Sequence, residues 1–206
     1  KNLIYSHAAG TGEALPRDVV FMMWILRLNT LCRGNSGVRY STVEFIIKLL
    51  EEGVLGQVPA KGSVGASGDL APSAHASLVL LGQGTCSIPH AGSFTLVSAE
   101  KALDHAGLAP LELAPKEGLS LINGTQLTTA LAIKTWAQGK NLLAHANLAA
   151  SLSIEGMRAS QKIALKQIAD VRNQEGVDAC AADIRTWLSG KSEVADSHDG
   201  CSKVQD

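Results

Sequence analysis

The sequence predicts a mostly α-helical fold, and three observations carry that reading. Apolar residues (AVILMFWYC) fill 46% of 206 positions and charged residues only 18%, enough apolar material for one sizeable core. The apolar residues gather in long runs bounded by glycine and proline, as helices require. Only one segment, 86–97, has strand-forming residues on both sides of a turn signal, His90-Ala91-Gly92.

The elements follow in order. Pro16 at a first-turn position, with Asp18 behind it, opens a helix over 16–32 that is apolar on nearly every face and ends before Gly34 and Gly37. A second helix, 42–52, puts Phe45, Ile46, Leu49 and Leu50 on one stripe and is closed by Gly53. A glycine-rich stretch leads into a helix over 70–81, with Ser67 or Asp69 as its N-cap and Gly82 as its stop. The segment 86–97 is a small β-hairpin. Helices then occupy 99–106, 124–153, 162–171 and 179–188; the long one is rich in Ala and Leu, with only Lys134 and Lys140 charged, which suits the interior of a bundle.

The net charge of -1 offers no electrostatic reason for nucleic acid or a membrane surface as partner. The run "VVFMMWIL", 19–26, falls far short of the ~20 apolar residues that span a bilayer. Cys32, Cys86, Cys180 and Cys201 are scattered and read as reduced thiols of a cytoplasmic protein, with no zinc spacing. So low a content of charge implies that partner subunits cover part of the surface. With no initiator Met and no tail character at "KVQD", 1–206 reads as a single unit cut at both ends from something larger.

"GSVGASGDLAP", 62–72, has glycine at every third position around Ala66-Ser67-Gly68. Val64 breaks a dinucleotide fingerprint, and Asp69 stands where a phosphate loop needs a cation. A flexible loop capped onto a helix stays open on spacing alone. The other reading is chemical. In a tight turn the Gly68 amide nitrogen reaches the Ala66 carbonyl carbon, and glycine presents that nitrogen with no side chain beside it. Orientation of this kind is worth roughly 7–11 kcal/mol in intramolecular reactions. Loss of two waters, the second from the Ser67 hydroxyl, then leaves a methylidene conjugated to an imidazolone, with Asp69 handling protons.

This stretch, with "SHAAGTG" before it and "EGLSLINGTQ" after it, resembles the aromatic amino acid lyases that carry a methylidene-imidazolone cofactor, and most closely their histidine-specific branch. The resemblance covers 1–206. It implies a helical bundle of the fumarase/aspartase-like type, assembled as a homotetramer whose sites combine residues of neighbouring subunits. It implies 4-methylidene-imidazol-5-one built from Ala66, Ser67 and Gly68, with no metal or nucleotide, and conversion of L-histidine to urocanate and ammonia at the start of histidine breakdown.

Residue by residue, Ala66, Ser67 and Gly68 match the cofactor tripeptide and Asp69 the acid after it. His7 matches a histidine beside the substrate ring, and Asn123 an asparagine near the cofactor or the substrate carboxylate; without the resemblance they read as a loop histidine and an N-cap of the long helix. Gln205 matches a glutamine at the site's edge. His7-Ala8 is the histidine-specific pairing, where tyrosine lyases tend to His-Leu and phenylalanine lyases to Phe-Leu. His75 is read as packing or bonding locally, His90 and His145 as bland, and Glu117 as a helix-start or ion-pair residue.

The family's proteins are longer. Their N-terminal catalytic tyrosine, a second tyrosine, a carboxylate-binding arginine and a histidine-recognising glutamate fall outside 1–206, and neither Tyr5 nor Tyr40 takes a catalytic position. The expectation is a portion of an enzyme without turnover of its own and with exposed apolar faces. The alternatives are a tyrosine or phenylalanine lyase, an aminomutase on the same cofactor, or a truncated, inactive helical homologue.

Overall fold

The computed structural model describes residues 1–190, 192–197 and 200. The chain divides into two compact units, Lys1–Lys134 and Thr135–Asp206.

The first unit begins with α1 Asn2–His7 and β1 Thr11–Ala14, neither expected from the sequence, then α2 Arg17–Leu31 and α3 Tyr40–Glu51. After β2 Leu55–Gly56 and β3 Pro59–Lys61 comes α4 Leu70–Leu78, which tightens into a 3-10 turn, Val79–Leu81. The hairpin β4 Thr85–His90 and β5 Ser93–Ser98 leads to α5 Ala99–His105, α6 Glu117–Ile122 and the first turns of α7 Gln126–Gly156. The core forms where the apolar stripes meet. α2 buries Val20, Met23, Trp24 and Leu31, and α3 buries Val43, Ile46 and Leu49, positions three and four apart that share a helix face. Phe21 and Ile25, on the other side of α2, stay 43% and 45% exposed, so the all-round apolar helix buries only part of its circumference here.

The expected hairpin forms, its strands antiparallel from Thr85↔Ser98 to His90↔Ser93. Ala91 and Gly92 both take positive φ, 47° and 78°, and a two-residue turn of that hand matches the twist of the paired strands. β2 adds to β4 as a third strand, and β1 pairs with β3 in a separate antiparallel ribbon. Arg17, at the start of α2, lies 3.7 Å over the Phe94 ring and donates to the carbonyls of Ser87 and Gly53, tying the helix to the sheet.

Glu117 is buried to 1% and is the ion-pair residue the sequence suggested. Its carboxylate accepts from Arg39 N, Nε and Nη2, from Thr42 Oγ1 at 2.8 Å and from Ala114 N at 2.7 Å. Burial pushes its pKa up, but these donors, the Arg39 side chain foremost, outweigh that and bring it from the ordinary 4.5 to about 2. A carboxyl with a depressed folded pKa stabilises the fold above its unfolded pKa and stops doing so as pH falls through the folded one. Chemical denaturation at stepped pH will therefore show stability falling between pH 4.5 and about 2, and Glu117→Gln will flatten that part of the profile.

The second unit holds the rest of α7, a 3-10 turn Gln161–Ala164, α8 Lys166–Arg172, α9 Glu175–Trp187 and α10 Glu193–Ser197. The expected long helix forms, and Trp136, Leu142, Leu143 and Leu152 are 52–72% exposed on it, an apolar face of the kind expected of this chain by itself. The neighbouring helices are short; α8 buries only Ala169 and α9 only Ala181. Among the described residues no helix is long and apolar enough to cross a membrane.

Candidate active site

The glycine-rich stretch leaves β3 and returns into α4 as a loop. Ala66 and Ser67 are exposed, Gly68 is half-buried and Asp69 is fully buried. Gly68 takes φ +113°, a conformation side chains disfavour, and a Cβ there would stand 2.6 Å from the Gly124 carbonyl oxygen and 2.9 Å from its nitrogen. Two backbones therefore touch at Gly68 and Gly124. The Asp69 amide also donates to the Gly124 carbonyl, at 2.6 Å.

Asp69 occupies the N-cap position of α4, as expected, but its side chain does not cap that helix. One carboxylate oxygen accepts from Ser63 Oγ at 2.6 Å and Thr128 Oγ1 at 2.8 Å, and the other from the Thr128 amide at 2.8 Å. Thr128 lies in the first turn of α7, where amides lack intrahelical partners and favour an anion. Asp69 thus pins the loop to the start of a different helix. Ser67 makes no cap either.

Asn123 is not the N-cap of the long helix, which begins at Gln126. It ends α6 with extended backbone, its side chain exposed, and its carbonyl accepts from Arg27 Nη1 at 2.8 Å. His7 ends α1 half-buried, its Nδ1 2.9 Å from the Leu3 carbonyl and 3.0 Å from Ser6 Oγ. A carbonyl only accepts, so Nδ1 carries a proton in that contact.

α1, which ends at His7, packs against both α4, which follows the tripeptide loop, and α6, which Asn123 ends. The loop after His7 is fastened at the same place. Gly10 N donates to His75 Nε2 at 2.9 Å, and a Cβ on Gly62 would stand 2.9 Å from Gly10 Cα. His75 thus bonds, but to a residue 65 positions away rather than locally. Burial lowers its pKa, which favours the neutral ring this acceptor role needs. Gln205 lies outside the described residues, and so does Cys201. His145 Nδ1 bonds back to Asn141 O within its own helix, and His90 is exposed on β4.

Sequence reading missed Arg27, Ser63, Thr128 and Gly124. Arg27 did leave a signal: it is the sole charge between Asp18 and Arg33 on a helix otherwise apolar all round, and it is 4% exposed.

The chain matches known proteins along its whole length. The family model described as aromatic amino acid lyase matches residues 1–206. A histidine ammonia-lyase of Photorhabdus laumondii is 43% identical over 206 residues, which are 100% of this chain and 39% of that protein. The crystal structure of histidine ammonia-lyase from Trypanosoma cruzi superposes with a TM-score of 0.81 at 36% identity, covering 89% of this chain and 35% of that one. The phenylalanine aminomutase of Pantoea agglomerans gives 0.83 at 30% identity, covering 94% and 36%. The chain thus spans about two fifths of the length of the curated relative it matches along its whole extent. A match along every residue, to a family whose solved members have this helical architecture, leaves one conclusion: the chain belongs to the aromatic amino acid lyase family.

Proposed function

We propose that the protein containing this chain eliminates ammonia from L-histidine to give urocanate, and that Ala66, Ser67 and Gly68 condense to form its electrophilic 4-methylidene-imidazol-5-one. The observation that supports this most is the contact at Gly68. A loop meant only to connect β3 to α4 has no need of a backbone pressed against Gly124 within the reach of a missing Cβ, nor of a fully buried carboxylate fixing the next residue. A turn that must hold one amide nitrogen against a nearby carbonyl carbon has need of both.

When formed, the group supplies an electrophilic carbon that turns the substrate's α-amino nitrogen into a better leaving group. The chain's own residues do the rest of what we assign here. Asp69, held by Ser63 and Thr128, keeps the turn in place. His7, with Nδ1 committed to the Leu3 carbonyl, offers Nε2 to the substrate ring. Asn123, anchored through its carbonyl, offers an exposed amide to the substrate carboxylate or the imidazolone oxygen. Gln205 is assigned to the site on the family resemblance alone. The His7-Ala8 pair and the histidine ammonia-lyase relatives favour histidine over phenylalanine or tyrosine. We further read 1–206 as one N-terminal and central portion of a cytoplasmic homotetramer, in which the exposed apolar side of α7 is covered.

The test uses the full-length gene product. Given histidine, phenylalanine and tyrosine in turn, it releases urocanate and neither cinnamate nor coumarate, and the peptide holding Ala66 to Gly68 is lighter by two waters. Ser67→Ala removes both the mass deficit and urocanate release. An active enzyme with an unmodified tripeptide refutes the cofactor; cinnamate or coumarate as the main product refutes the substrate.

A further inference from the structure

We infer that Arg27 is a positioning residue for the condensation of Ala66, Ser67 and Gly68, holding the Asn123-Gly124 turn against the tripeptide; this rests on the cofactor reading above.

Arg27 comes from α2, far from the loop in sequence, and only 4% of it is exposed. A guanidinium is withdrawn from water so completely only when partners or a task offset its desolvation. Nη1 donates to the Asn123 carbonyl at 2.8 Å, while Nη2 has no hydrogen-bond partner among the described residues. A methionine or leucine would fill the same space in this core without that penalty. The residue that benefits from the guanidinium is Gly124. A Cβ on Gly124 would run into Gln126 Oε1 and stand 3.0 Å from both Nη1 and Nη2, so its backbone packs closely against the fork and the glutamine together. The same residue carries the contact with Gly68, and its carbonyl accepts the Asp69 amide at 2.6 Å. Gly124 therefore links the guanidinium to the residue whose nitrogen must react.

Charge adds to shape. Asp69 is the anion that attracts Arg27, across the same turn, so cation and carboxylate draw Asn123-Gly124 and Gly68-Asp69 together. Burial lowers the arginine's pKa to about 10, which leaves it protonated at neutral pH.

In the condensation the Gly68 nitrogen bonds to the Ala66 carbonyl carbon. The Ala66 oxygen departs as water with the Gly68 and Ser67 amide protons, and the Ser67 hydroxyl departs as a second water with the Ser67 α-proton. No oxidant or added reagent is needed. The rate depends on where the Gly68 nitrogen sits, and a displacement of about an ångström lowers such rates roughly a hundredfold.

The experiment is performed on the full-length protein, by timed peptide mass analysis after synthesis, beside thermal unfolding and assembly state. Wild type loses both waters. Arg27→Met, which keeps length but removes fork and charge, folds yet condenses about tenfold to a hundredfold more slowly. Arg27→Lys, which keeps the charge but not the fork, recovers part of the rate. Leu28→Ala, a cavity in the same helix, lowers the melting temperature but condenses at the wild-type rate, which separates positioning from general stability. Wild-type condensation in folded Arg27→Met overturns the inference. If the methionine variant does not fold, Arg27→Lys decides: slowed condensation supports it and an unchanged rate overturns it, and failure of both to fold makes Arg27 an ordinary structural residue. A wild-type protein that loses no water refutes instead the cofactor reading.

Discussion

Asp69→Ala destabilises the protein by about 3–5 kcal/mol in a urea titration and leaves the Ala66 to Gly68 peptide at its full mass. The carboxylate is fully buried, and Ser63 Oγ, Thr128 Oγ1 and the Thr128 amide all point donors at it. Truncation strands those donors, and each unsatisfied buried group costs about 1–3 kcal/mol where the surroundings cannot re-solvate it. Ser63 and Thr128 are both exposed and recover part of their hydration, so most of the loss comes from the buried groups around Asp69. The Arg27 guanidinium, buried and attracted to Asp69, loses its counter-charge as well. Asp69→Asn falls between: its amide oxygen still accepts, but its NH₂ faces donors. A loss below about 1 kcal/mol for Asp69→Ala would mean that the carboxylate does not pin the loop to α7.

The parts of this architecture that were legible are those whose determinants are local. α2, α3, α5 and α7 announce themselves by apolar runs between proline and glycine, and the β4–β5 hairpin by Ala91-Gly92, because spacing and turn chemistry lie within a few neighbouring residues. β1 and β3 were illegible for the opposite reason. "TGEA" and "PAK" are short and largely exposed, show no alternation, and become strands only by pairing Thr11 with Lys61 and Ala14 with Pro59. The site divides the same way. Ala66-Ser67-Gly68 can be read from three residues, but the use of Asp69 cannot, since its partner Thr128 lies 59 positions away and a local N-cap looked sufficient. For Asn123 the alternative of a cap on the long helix falls only once α7 is seen to start at Gln126. His75 and Arg27 act on Gly10 and Asn123 across 65 and 96 positions, and no local pattern encodes such pairs.

Gly68→Ala abolishes condensation and costs about 2–4 kcal/mol, whereas Gly65→Ala costs about 1 kcal/mol and condenses normally. Both glycines have positive φ, +113° and +71°, so both substitutions carry backbone strain. They differ in what the new methyl meets. At Gly65 nothing lies within 4 Å, so strain is the whole effect. At Gly68 the Cβ would be 2.6 Å from Gly124 O, 2.9 Å from its N and 3.1 Å from its C, all main-chain atoms that no rotamer can move aside. Relief requires Gly124 to retreat, yet Gly124 is itself crowded, since its own Cβ would run into Gln126 Oε1 and be 3.0 Å from both terminal nitrogens of Arg27. The loop must move instead, lengthening the bond from Asp69 N to Gly124 O and withdrawing the nitrogen at position 68 from the Ala66 carbonyl. Peptide mass and urea titration of the two variants side by side read both effects. Equal behaviour of the two would show that left-handed backbone alone, and not the Gly68-Gly124 contact, governs the turn.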